Sequence, residues 1–223
     1  MRLQAAIDRV SLEQMLDLGS HLNGHTDIVE VGTSLIKDYG VTASVGALRD
    51  RFPDMTILAD IKTCDEGAYE FQRAYEAGAD IATAMGFSAE TTLRACAEVA
   101  ASFGKDWFID LLELPEDSVY RLAIAFPDAI FGVHLSFDKQ GEGLRELVNR
   151  STRIIRAAEA ADGKLRRIAV AGGVKLDVLP ELRQCGIDTV IVGSAITKAN
   201  DISQAAEIFF RACHENCDRR NQK

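Results

Sequence analysis

The sequence contains no apolar stretch of 18 residues, so it offers no candidate membrane span, and its opening MRLQAAIDRV holds too short an apolar run for a signal peptide. No targeting motif is visible, and the expected location is cytoplasmic. Positive charge is also scarce. The 25 lysines and arginines face 34 aspartates and glutamates, for a net charge of −9. Such a balance repels a phosphate backbone and argues against nucleic acid as a partner. The excess is uneven, with 9 basic and 18 acidic residues in 1–111 against 16 and 16 in 112–223, so a site that needs carboxylates is expected in the first half. The five cysteines, Cys64, Cys96, Cys185, Cys213 and Cys217, fit neither a disulfide framework nor a zinc ribbon and read as reduced thiols. No linker or low-complexity segment divides the chain, and 47% hydrophobic content is enough for one domain over 1–223.

What is present is a repeat of short apolar runs, each followed by a longer segment with apolar residues three and four apart. The runs at 3–8, 27–31, 56–62, 79–85, 107–112, 129–134, 167–172 and 188–193 predict eight strands, mostly apolar throughout, as parallel strands covered by helices are. The segments 11–22, 42–51, 65–77, 88–103, 115–125, 144–161, 176–185 and 203–214 predict eight helices. Ser11 and Gln14 form a capping-box pattern at the first, Ser88 opens the fourth, and Gly78, Gly104 and Gly186 stand where helix ends need left-handed residues. Eight uninterrupted βα units favour a closed (β/α)8 TIM barrel over an open doubly wound sheet. The open sheet also lacks its glycine fingerprint, because the first turn reads Asp8-Arg9-Val10-Ser11.

Polar residues within the apolar runs gather at the strand ends: Asp8 in the first, Glu30 in the second, Asp60 and Lys62 in the third, Asp110 in the fifth and His134 in the sixth. The seventh and eighth end in Gly172-Gly173 and Gly193-Ser194. Any one of these is explained by a helix cap, a core imidazole or a tight turn, but independent caps need not share a face. In a barrel the C-terminal face carries the active site, and turns after strands seven and eight often bind phosphate. The third strand is the most specific piece. Asp60 and Lys62, two apart, point to one side, and Asp65 begins the next helix, so Asp-x-Lys-x-x-Asp places an ammonium between two carboxylates. That environment keeps the lysine charged and suits it to stabilising an oxyanion. Glu30 beside Asp60 adds a second hard oxygen donor, a pair suited to Mg²⁺.

The array Asp60-Ile61-Lys62-Thr63-Cys64-Asp65 resembles the signature of the orotidine 5′-monophosphate decarboxylase suprafamily. LQAAID at 3–8, DIVEVGTSLI at 27–36, LADIKTCDEG at 58–67, GADIATAMG at 78–86, VAGGVK at 170–175 and IVGSAIT at 191–197 resemble its 3-hexulose-6-phosphate synthases and 3-keto-L-gulonate-6-phosphate decarboxylases. The resemblance runs from residue 3 to about 210. It implies a homodimer with shared active sites that forms a cis-enediolate from a sugar phosphate with Mg²⁺. Glu30 and Asp60 would hold the metal and Lys62 would hydrogen-bond the enediolate. Asp65 would reach the partner's site, Asp8 would contact substrate hydroxyls, His134 would move protons, and Gly172, Gly173, Gly193 and Ser194 would bind phosphate. A carbon–carbon lyase is therefore expected. Phe137 and Ser194 stand where the decarboxylases carry arginine, and Asp110 where they carry glutamate, which favours the synthase, an aldehyde-lyase, over the decarboxylase, a carboxy-lyase. Arg9 and the longer segment 143–167 depart from the synthase pattern and leave room for a related sugar phosphate. The reading from a different class is a non-catalytic barrel that binds a phosphometabolite. Retention of Glu30, Asp60, Lys62, Asp65 and His134 argues against it.

Overall fold

The apolar runs close on one another as eight parallel strands, each paired to the next and the last to the first, in a computed structural model that describes residues 1–139 and 143–215. The strands are β1 (Arg2–Ile7), β2 (Ile28–Val31), β3 (Ile57–Thr63), β4 (Ile81–Met85), β5 (Asp106–Asp110), β6 (Ile130–His134), β7 (Arg167–Ala171) and β8 (Thr189–Val192). Each lies within a residue or two of its predicted run. The helices are α1 (Leu12–Leu22), α2 (Thr33–Tyr39), α3 (Val41–Arg51), α4 (Gly67–Glu76), α5 (Glu90–Phe103), α6 (Glu116–Ala125), α7 (Leu144–Asp162), α8 (Leu179–Gln184), α9 (Ser194–Thr197) and α10 (Ile202–His214).

Two of these, α2 and α9, were not expected. Both follow a strand directly and are too short to show a helical period, and Gly40, at φ +82°, separates α2 from α3. The Ser11–Gln14 capping box forms, and Gly78, Gly104 and Gly186 all have positive φ. Ser88 does not cap its helix. Its hydroxyl donates to the Thr63 carbonyl at 3.2 Å, which ties the β4–α5 loop to the end of β3, and α5 starts at Glu90. The long segment after 143 is accounted for by α7, a single 19-residue helix. Cys64, Cys96, Cys185 and Cys213 are free thiols, while Cys217 lies outside the described residues.

A strand's period of two splits its side chains between two cores. Outward residues such as Ile7, Val29, Ile57, Ile109 and Phe131 pack beneath the helices. Inward, Ile28, Leu58, Ile81, Phe108, Ile130 and Ala169 form a separate apolar layer that plugs the barrel, with Ile191 against it. Below the plug, carboxylates are structural. Asp27, Asp80 and Asp188 at the feet of β2, β4 and β8 accept the backbone N–H groups of Leu3, Ile57 and Ile168 on the preceding strands at 2.7–2.9 Å. Asp80 also binds Arg49 and Lys105. Burial works against its charge, but these donors hold its carboxyl below the usual range.

Packing of the plug leaves one testable tight spot. Gly132, two residues beyond Ile130, faces the Phe108 ring so closely that an added Cβ would overlap it. Gly132→Ala is expected to destabilise the protein by about 1–3 kcal/mol, as overpacking in a close-packed interior does. A thermal melt superimposable on the wild type would show that the ring can yield.

Candidate active site

Two residues beyond the plug, the same inward face carries Glu30 on β2, Asp60 on β3, Thr83 on β4 and Asp110 on β5. His134 stands four beyond Ile130 on β6. The strand period therefore lifts these groups together above a largely apolar floor, at the C-terminal mouth. Glu30, Asp60, Thr83 and Asp110 are all buried, and Asp110 is only 3% exposed.

Lys62 joins them through an irregularity. β3 pairs with β4 at Ala59↔Ala82 and next at Thr63↔Ala84, so residues 60, 61 and 62 stand against Thr83 alone. Within this bulge Lys62 takes φ +48°, a left-handed conformation that costs a residue with a Cβ on the order of 1–3 kcal/mol. Arg9, Glu66 and Glu113, the other non-glycine residues with positive φ among those described, lie on the loops of the same mouth.

The ammonium of Lys62 lies 2.9 Å from Asp60 Oδ2 and 3.1 Å from Asp110 Oδ2. Burial alone would lower its pKa, but the two carboxylates outweigh burial and hold it above the ordinary lysine range. The expectation of a lysine between two carboxylates holds, with one correction: the second carboxylate is Asp110, from two strands away, and not Asp65. The bulge turns Lys62 toward β5. Asp65 precedes α4 rather than beginning it, is exposed, and accepts the Glu66 N–H at 2.8 Å.

Asp110 also accepts from His134 Nδ1 at 2.9 Å and from the Leu112 N–H. Burial raises its pKa, yet His134 and Lys62 together bring it below the usual carboxylate range. An ionised carboxylate only accepts, so Nδ1 must carry the proton, which leaves Nε2 as the imidazole nitrogen available for proton transfer.

Asp60 receives two hydroxyls besides the ammonium, Thr33 Oγ1 at 2.6 Å and Thr83 Oγ1 at 2.9 Å. Glu30 accepts from Gln4 Nε2 at 2.5 Å, and Gln4 sits in the plug layer itself, in register with Ile28 and Ile191. Gln4, Thr33 and Thr83 were not singled out in the sequence. A glutamine in an otherwise apolar run was the one visible signal. Burial first, and then the neighbouring Asp60, push the Glu30 carboxyl well above the usual range. Two buried carboxylates side by side repel unless a proton or a cation intervenes. Among the described residues no three His, Cys, Asp or Glu side chains enclose a metal site. The Glu30–Asp60 pair offers two hard oxygen donors, which would fit a divalent cation completed by water or ligand oxygens.

The remaining expected residues line the rim. Asp8 Oδ1 accepts from the Ser34 hydroxyl at 2.8 Å, and the Arg9 N–H donates to the same hydroxyl at 2.7 Å, closing β1 onto α2. Gly172, at φ +102°, passes so close to Leu135 that a Cβ would overlap its backbone, and Gly173 has φ +73° with open space around it. Gly193 precedes Ser194, the first residue of α9.

The sequence matches the orotidine 5′-phosphate decarboxylase / HUMPS family over residues 1–209. It is 34% identical to the 3-hexulose-6-phosphate synthase of Bacillus subtilis, covering 92% of this chain and 95% of that one. The 3-hexulose-6-phosphate synthase structure from Salmonella typhimurium is similar with a TM-score of 0.83 and 29% identity, over 96% of this chain and 98% of the other. A structure of 3-keto-L-gulonate-6-phosphate decarboxylase from Vibrio cholerae, at 24% identity, shares the fold, with a TM-score of 0.77 over 95% and 96% of the two chains.

Proposed function

The chain belongs to the orotidine 5′-phosphate decarboxylase / HUMPS family, and from that premise we propose that it is a 3-hexulose-6-phosphate synthase, an aldehyde-lyase that adds formaldehyde to D-ribulose 5-phosphate. The observation that carries this reading is the Lys62 ammonium held between Asp60 and Asp110 beside the buried Glu30–Asp60 pair. Removing a proton next to a carbonyl leaves negative charge on two adjacent oxygens, and this cluster concentrates groups that stabilise such charge.

In the proposed mechanism His134 Nε2 takes the C1 proton of the pentulose phosphate, with Asp110 fixing the ring's tautomer and orientation. Lys62 donates to the resulting cis-enediolate. Its C1 forms the new bond to the formaldehyde carbon, and the formaldehyde oxygen takes up a proton to become a hydroxyl. Glu30 and Asp60 would hold Mg²⁺, which when bound would supply Lewis-acid stabilisation of the developing negative charge. Asp8 would contact substrate hydroxyls, and Gly172, Gly173, Gly193 and Ser194 would receive the phosphate. Phe137, Asp110 and Ser194, which depart from the decarboxylase pattern, support addition to formaldehyde over loss of CO₂.

A homodimer with shared sites belongs to the same reading. Asp65 is exposed and forms no ion pair with its own Lys62 among the described residues, and Tyr69 and Phe87, 63% and 60% exposed, lie on the adjacent α4 and the β4–α5 loop, where Ser88 is tied to the end of β3. Large exposed aromatics beside an outward carboxylate suit a second copy of the chain. No helix of the described residues is long and apolar enough to cross a membrane.

The test is formaldehyde consumption with ribulose 5-phosphate, run beside CO₂ release from 3-keto-L-gulonate 6-phosphate. Turnover in the first assay only, abolished by EDTA with circular dichroism unchanged, is expected. CO₂ release alone would replace the synthase with the decarboxylase, and full activity in excess EDTA would remove the metal.

A further inference from the structure

Thr83 is the single β4 residue opposite the three-residue bulge that carries both Asp60 and Lys62. A bulge interrupts the ladder, so its backbone groups must find partners elsewhere. The Lys62 N–H finds Thr83 Oγ1 at 2.9 Å, and the same hydroxyl donates to Asp60 Oδ1 at 2.9 Å. A hydroxyl has one proton and two lone pairs, so both bonds are satisfied at once. Thr83 is 2% exposed, and bulk water cannot replace it.

We infer that Thr83 is a positioning residue for the chemistry of this site: its hydroxyl locks the left-handed backbone at Lys62 and the carboxylate of Asp60 in one mutual arrangement. This rests on the assignment of Asp60 as a metal ligand and Lys62 as the enediolate partner. Thr33 fixes only the other oxygen of Asp60 and makes no bond to the bulge backbone. Losing the Thr83 hydroxyl therefore removes the one bond pair that couples the Lys62 backbone to the Asp60 carboxylate, while the turns after β7 and β8 are untouched.

The test compares Thr83→Val, which keeps the shape and removes the hydroxyl, with Thr83→Ser, which keeps the hydroxyl. Mn²⁺ binding is read by electron paramagnetic resonance, without substrate, alongside kcat and KM for ribulose 5-phosphate. Thr83→Val is expected to bind Mn²⁺ about 10–100-fold more weakly, the usual effect of removing a partner that orients a metal ligand. Its kcat should fall by at least tenfold with KM changed less than about threefold, and Thr83→Ser should restore both. Thr83→Ala serves in the same way if the valine variant does not fold. A folded Thr83→Val protein with a lower melting temperature but wild-type Mn²⁺ affinity and kcat would overturn the inference, as would a serine variant as impaired as the valine one or a wild type that binds no Mn²⁺. Weakened Mn²⁺ binding in Thr83→Val beside a wild type inactive on ribulose 5-phosphate would uphold the role of Thr83 and overturn the substrate instead.

Discussion

Lys62→Ala is expected to lower kcat by two to three decades while the protein remains folded. Removing a preorganised oxyanion donor costs about 2.7–4 kcal/mol of transition-state stabilisation. Here the loss is compounded, because Asp60 and Asp110 are left facing the developing negative charge with no ammonium between them. The Glu30 carboxyl, whose pKa Lys62 holds down, would move higher still and resist ionisation. Folding should survive because the lysine is partly exposed at the mouth, and Asp110 keeps its bonds to His134 and the Leu112 N–H. Steady-state kinetics with circular dichroism as control decides the matter. Turnover within a few-fold of wild type on ribulose 5-phosphate would sink the assignment of Lys62.

The second large effect is a gain. Mixing inactive Asp65→Ala with inactive Lys62→Ala protein is expected to restore activity, because each site would draw its lysine from one chain and Asp65 from the other. In a mixed dimer one site carries both lesions and its twin carries neither. Random pairing at equal concentrations makes half of the dimers mixed, so two-fold symmetry sets the ceiling at about a quarter of wild-type activity. The structure motivates the experiment by what Asp65 does in its own chain, where it accepts the Glu66 N–H instead of approaching Lys62. If native mass spectrometry shows subunit exchange and activity does not return, Asp65 serves its own chain and the dimer does not build the site.

The barrel was legible because its signals are local. Apolar β-branched runs alternating with amphipathic segments require no knowledge of what touches what, and the eight predicted strands are the eight observed. The two added helices, α2 and α9, escaped because a helix of seven or four residues completes too few turns to display its period. Much of the site was legible for the same reason. Glu30, Asp60 and Asp110 interrupt apolar runs at a common depth, with His134 one inward position nearer the mouth, and the fold turns shared depth into a common place.

The sequence by itself thus determined the closed barrel and the depth at which its charged groups sit, since both follow from the period of a strand and the cost of burying charge. Only the tertiary structure decided the partners. Read along the chain, Lys62 belongs with Asp60 and Asp65, whereas in the barrel a bulge and a left-handed backbone carry its ammonium to Asp110, 48 residues away. Gln4 and Thr83 became part of the site because strand register sets them against Glu30 and Asp60, and Thr33 because α2 starts beside the end of β2 with its hydroxyl on Asp60. The physical reason is that a side chain's depth is set by its own strand, but its neighbours are set by the register between strands, and the bulge in β3 makes that register irregular where the chemistry is concentrated.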